Sequence, residues 1–277
     1  MALSEKTYDN NPHRAGMAKL ISGISYSAAG GEKTTLTLLR PWEEAVRYPL
    51  VVFVQGSGWK TPSLGFEIPQ LSRLAQQGFV IASVSHRSIL EGSPFPACLQ
   101  DVKTAIRFLR AHAEDYSIDP GRVAVYGTSS GGNTALLVAA TGDDPRFATA
   151  EYAGVSDAVS CVVSCFGPTD LTAMPDHTGP GDPTFTALIG GGDPQTVLRA
   201  ASPYPYISME NPFPPCLLAH GTADAAVPYA QARRMADRLH ACGKEVRLLT
   251  VTGAPHEDTF WSWPLIDDIY SFIKAHI

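Results

Sequence analysis

The sequence predicts an α/β fold, with a mostly parallel central sheet of about eight strands flanked by helices. Three observations carry that prediction. From Thr34 onward, short apolar runs bounded by turn residues alternate with amphipathic segments. The runs are apolar at nearly every position, as strands buried on both faces require. The chain has 277 residues, of which 44% are hydrophobic, enough to bury one large core, so a single domain spanning 1–277 is expected.

In chain order, residues 20–40 read as a hairpin, because Ala29, Gly30 and Gly31 separate two alternating runs. It would begin the sheet with antiparallel strands. Buried strands are predicted at 50–54, 79–84, 123–126, 159–166, 216–220 and 246–251. Helices are predicted at about 68–77, 97–114, 131–140, 229–242 and 259–275. In the second of these, Val102, Ala105, Ile106 and Leu109 fall three and four residues apart and build one apolar face. At about 167–215 the pattern gives way to Pro, Gly, Asp and Thr, with three consecutive glycines from Gly190 to Gly192. This stretch reads as an inserted lid over the site, with one or two short helices.

The formal net charge is −6 and neither sign forms long runs, which argues against binding to nucleic acid or to an anionic membrane. A small neutral molecule is the expected partner. No apolar run reaches the roughly 18 residues that span a bilayer. The N-terminus lacks the basic start and apolar stretch of a secretory signal, so a cytoplasmic location is the expectation. A homo-oligomer is compatible with the sequence but not specified by it. The five cysteines show no C-x-x-C spacing and read as buried reduced thiols. Cys161 and Cys165 share one strand face at a separation too long to bridge.

Gly127, Thr128, Ser129, Ser130 and Gly131 spell G-x-S-x-G directly after a predicted strand and before a predicted helix. A serine on so sharp a turn needs small residues two positions to either side, and the helix N-terminus beside it favours an oxyanion. Ser129 is therefore the candidate nucleophile and the amide of Ser130 the first oxyanion donor. Ser130 is a competing nucleophile by type, displaced by one residue, and a Gly- and Ser-rich turn without chemistry is the plainer alternative.

After the predicted strand at 50–54 come Gln55, Gly56, Ser57, Gly58 and Trp59, small residues that let backbone amides turn toward a ligand. Gly56 and Ser57 are the expected further oxyanion donors. A phosphate-cradling loop is disfavoured, since no G-x-x-x-x-G-K-[ST] is present. Of the later histidines, His240 falls in a predicted helix and His276 is penultimate, whereas His256 sits in a turn after the last strand. His256 is the candidate base and Asp224, on the loop after the preceding strand, the candidate acid. An Asx-turn carboxylate is the structural alternative for Asp224, and a solvent-exposed loop residue for His256. His220, which ends that strand, reads as a hydrogen-bonding structural residue. All these positions lie at the C-terminal ends of strands, where open α/β sheets place their ligand crevice.

From Gln55 to His256 the chain resembles the α/β-hydrolase superfamily. More narrowly, it is similar to acetyl xylan esterases and bifunctional feruloyl and acetyl xylan esterases, among the hormone-sensitive lipase-like carboxylesterases. Gln55 to Trp59 resembles the His-Gly-Gly-Gly-Trp loop, with Gln for His and Ser for the middle Gly. Arg87, Asp101, the Ile118-Asp119-Pro120-Gly121-Arg122 run and the Gly167-Pro168-Thr169-Asp170-Leu171 segment also match the group, whose resemblance covers about four fifths of the chain. It implies a serine carboxylesterase acting on short-chain acyl esters, acetyl esters of carbohydrates in particular, with no cofactor or metal. Trp59 and Thr128 are then the expected substrate contacts. Thr128 replaces a common acidic or His residue, and Gln55 and Ser57 alter the oxyanion loop. The same triad would serve a prolyl-oligopeptidase-like peptidase or amidase, or a formamidase, and a non-catalytic binding protein on the hydrolase fold is the alternative from another class.

Overall fold

A computed structural model describes residues 3–44, 46–175 and 182–277 of the chain. Its eight strands are β1 (Ala18–Ser25), β2 (Thr35–Pro41), β3 (Tyr48–Val54), β4 (Val80–Val84), β5 (Ile118–Thr128), β6 (Cys161–Cys165), β7 (Cys216–Gly221) and β8 (Val246–Val251). They form one sheet in the order β1-β2-β4-β3-β5-β6-β7-β8. The expected hairpin supplies β1 and β2, which pair antiparallel, as do β2 and β4. Every other pairing is parallel.

The central run of β3 explains the layering. Leu50, Val52 and Val54 enter one core, Val51 and Phe53 the other, because successive side chains leave a strand on opposite faces. The first core is closed by α2 (Ala97–Ala111), α3 (Ser129–Ala140) and α6 (Ala230–Ala241), the second by α1 (Ile68–Gln76) and α7 (Trp263–His276). Each fully buried Leu or Phe in these layers contributes roughly 1.5–3 kcal/mol. The connection from β3 to β4 turns to one side of β3, and β5 lies on the other. The strand order therefore reverses at β3, and a crevice opens beyond the C-terminal ends of β3 and β5. Among the described residues, no helix is long and apolar enough to cross a membrane.

Some boundaries depart from the sequence reading. β5 starts at Ile118 rather than 123, because Ile118 already pairs with Tyr48 before a shift in register. α2 stops at Ala111, three residues early. α7 begins only at Trp263, after a 3-10 turn at Asp258–Phe260, because the Ser262 side chain caps it. The five cysteines are unpaired, and Cys161 and Cys165 both face the second core.

The expected insertion contains two short helices, α4 (Pro183–Ile189) and α5 (Pro194–Ala200); its residues 176–181 lie outside the described residues. Both helices start at an Asp-Pro pair, in which Asp182 or Asp193 accepts a first-turn amide and the proline supplies a preset φ. Leu171, Met174, Phe185, Leu188 and Leu198 of this region pack on Trp59, Ile89 and Cys98 in a third apolar cluster. Asn133 of α3 ties the insertion down, its Nδ2 donating to the carbonyls of Pro168 at 2.9 Å and Ala201 at 3.1 Å. The Gln231 side chain receives the amides of Thr169 and Asp170.

Candidate active site

β5 runs straight into α3, and Ser129 is the helix's first residue, at φ +50. A non-glycine residue rarely adopts that backbone, and holding it there costs on the order of 1–3 kcal/mol. The turn is tight enough to exclude side chains on both flanks. A Cβ on Gly127 would lie 2.1 Å from the Gly131 carbonyl oxygen, and one on Gly131 would lie 2.0 Å from that of Val54.

His256 follows the β8 turn and brings its Nε2 to 2.9 Å from Ser129 Oγ. Its Nδ1 is 2.7 Å from Asp224 Oδ2. A carboxylate only accepts, so Nδ1 carries the proton and Nε2 offers its lone pair to the serine hydroxyl. Phe166 meets the imidazole edge-on at 4.7 Å between centroids, which limits the ring's tilt. The Asp224 carboxylate also fills the structural role weighed for it: Oδ1 accepts the amides of Ala226 at 2.9 Å and Val227 at 2.8 Å. Burial alone would raise its pKa. Hydrogen bonds from His220, His256 and the Val227 amide, with the charge of His256, outweigh burial and hold the carboxyl well below the usual range. His220 Nε2 lies 2.8 Å from the Val227 carbonyl and 3.2 Å from Asp224 Oδ2. Its grip on the acid was missed in the sequence, although its place four residues before Asp224 was the available signal.

The loop after β3 corrects three expectations. The Gly56 amide donates to Thr128 Oγ1 at 2.9 Å, so it is not aimed at a substrate. Thr128 is fully buried and does not line the cavity at Ser129, so its hydroxyl holds the loop rather than a ligand. The Ser57 amide donates to Ser130 Oγ at 2.9 Å, which ties that residue too to the nucleophile turn. Two other amides stay open. Ser130 N–H, in the first turn of α3, has no intrahelical acceptor, and Gly58 N–H has no protein acceptor among the described residues. Gly58, Trp59, Ser129 and Ser130 line one cavity of about 210 Å³ with Met174, Phe185 and Val227. Gly58 was overlooked because an amide's partner is a tertiary fact. A larger cleft of about 560 Å³, beside Arg146, Tyr206 and Phe213 at the far end of α3, contains none of these groups.

Behind the site, Glu67 is buried with Oε1 unpartnered, and burial together with the nearby Glu257 raises its pKa to about 7. Burial also pushes the Cys98 and Cys161 thiols up to about 12, which keeps them unreactive.

A serine on a strand-to-helix turn, then an acid, then a histidine on the loops after the last two strands is the chain order of the α/β-hydrolases, and that is the class of this molecule. Residues 36–239 match the family described as BD-FAE, and the chain belongs to it. It is 32% identical over 217 residues to esterase LipC of Mycobacterium tuberculosis, covering 75% of this chain and 52% of that protein. The chain spans about half the length of the curated relatives it matches. Among solved structures, it is similar to a truncated carbohydrate esterase from gut microbiota, with TM-score 0.84 and 26% identity over 96% of this chain and 99% of the other. A bifunctional GH43-CE protein of Bacteroides eggerthii aligns with TM-score 0.82 and 27% identity over 93% of this chain and 35% of the other.

Proposed function

We propose that the chain is a serine carboxylesterase that hydrolyses short-chain acyl esters, acetyl esters of carbohydrates foremost, through an acyl-enzyme on Ser129. The observation that carries this reading is the unbroken hydrogen-bond chain from Asp224 through His256 to Ser129 Oγ at the mouth of a small cavity. His256 Nε2 takes the serine proton as Oγ attacks the ester carbonyl, and the Asp224 carboxylate steadies the imidazolium. The open amides of Ser130 and Gly58 receive the tetrahedral oxyanion. His256 then protonates the departing alcohol, and water resolves the acyl-enzyme by the same relay. The carbohydrate preference is supported by the two carbohydrate-esterase relatives of known structure, and the esterase class by LipC.

Labelling with a fluorophosphonate tests the chemistry: it should occur in the native protein, vanish in Ser129→Ala and persist in Ser130→Ala. Native protein that stays unlabelled removes the catalytic reading. A panel of aryl acetates, the matching acetanilides and acetylated xylo-oligosaccharides then tests the substrate, and untouched oligosaccharides would leave a general esterase.

A further inference from the structure

The alcohol of an ester has to collect a proton from His256, so it leaves on the side of Ser129 where Nε2 lies, 2.9 Å away. The 210 Å³ cavity is lined by Ser129 and not by His256, which leaves it to the acyl group. Trp59 lines this cavity and also lines a second, smaller void with Ile89, Phe95, Leu99 and Leu188. That void offers about 10 Å³, no more than one water needs. One residue therefore stands between the acyl cavity and the apolar interior. Trp59 is 6% exposed and held at φ +57, a backbone that bulky residues rarely adopt, and Phe185 of α4 meets its indole edge-on at 6.1 Å.

Resting on the esterase reading above, we propose that Trp59 is the partition that ends the acyl pocket and so sets the acyl-chain limit of the enzyme. Removing the indole joins the cavity to the void, whose walls are mostly apolar, with Asn133 and Thr134 the polar residues among them, and so suited to methylenes. Glycine accepts a φ of +57 without strain, so Trp59→Gly preserves the loop's course, and Trp59→Leu makes a smaller opening should the glycine variant fail to fold.

The test is kcat/KM for p-nitrophenyl acetate, butyrate and octanoate. The native enzyme should favour the two short esters, and in Trp59→Gly and Trp59→Leu the octanoate-to-acetate ratio should rise by about tenfold or more. Leu188 lines the void but not the catalytic cavity, so adding Leu188→Phe to Trp59→Leu should refill the space and return the ratio toward the native one. An unchanged ratio in the folded Trp59→Leu enzyme overturns the partition and leaves the esterase standing. Native protein that cleaves none of the three esters overturns both.

Discussion

The two sides of Ser129 are built from different materials. Toward His256, every group is held by hydrogen bonds: Asp224 has four polar partners, two amides on Oδ1 and two histidines on Oδ2. Toward Trp59, the wall is mostly apolar packing by Met174, Phe185 and Val227, with Asp182 and Thr184 as its polar side chains. Proton transfer demands fixed angles and a settled tautomer, whereas recognition of an alkyl chain demands only space of the right shape. Substitutions on the first side should abolish turnover, and those on the second should redistribute it among substrates.

The largest expected effect is that of Ser129→Ala, which should lower kcat by on the order of 10⁴- to 10⁶-fold with little loss of stability, as measured by ester hydrolysis alongside a denaturant melt. Asp224→Asn keeps the shape but disturbs the imidazole's tautomer, and should cost about 10⁴-fold in kcat with KM nearly unchanged. A loss below tenfold would mean that the hydrogen-bonded side tolerates slack after all.

Glu67→Gln probes stability at the back of the hydrogen-bonded side. The folded pKa is about 7 against an ordinary 4.5, so the folded chain holds this proton more tightly than the unfolded one. The stability contributed by protonated Glu67 is complete below pH 4.5 and is lost as pH rises through 7. Glutamine cannot ionise, so its advantage over the native residue should grow from near zero at acid pH to at most roughly 3 kcal/mol above pH 8. Urea midpoints across that range measure it, and a difference independent of pH would refute the buried-carboxyl account.

Thr128→Val is the mildest of the four. It strips the Gly56 amide of its acceptor and should cost about 1–2 kcal/mol of stability in the same urea assay. Unchanged stability would argue that this amide faces the substrate instead.

The side of the site ruled by local pattern was the more legible in the sequence. Gly127 and Gly131 announce the turn because their clearance is a short-range steric need, and Asp224 and His256 are exposed by their order after the nucleophile. The strand at 50–54 was visible because burial on two faces leaves an unbroken apolar run; 246–251 was expected to be buried likewise, but it is the sheet edge, where Arg247 and Thr250 are exposed and the other residues half-buried. The donor loop was not: whether Gly56 or Gly58 keeps a free amide depends on where the Thr128 hydroxyl sits, a matter of packing across 72 residues. The insertion was read mainly as irregular, yet the pairs Asp182-Pro183 and Asp193-Pro194 already carried the cap-and-proline signal of its two helices.

Asn133 lies one helical turn beyond Ser129, and its single amide nitrogen grips Pro168 near the start of the insertion and Ala201 just past α5, bracketing the segment that carries both short helices. Both entrances to that segment are thus clasped at one point of the scaffold. The stretch between them becomes an exchangeable cassette, so a new substrate wall could be grafted from a relative, or selected from a library, without shifting the serine beneath it.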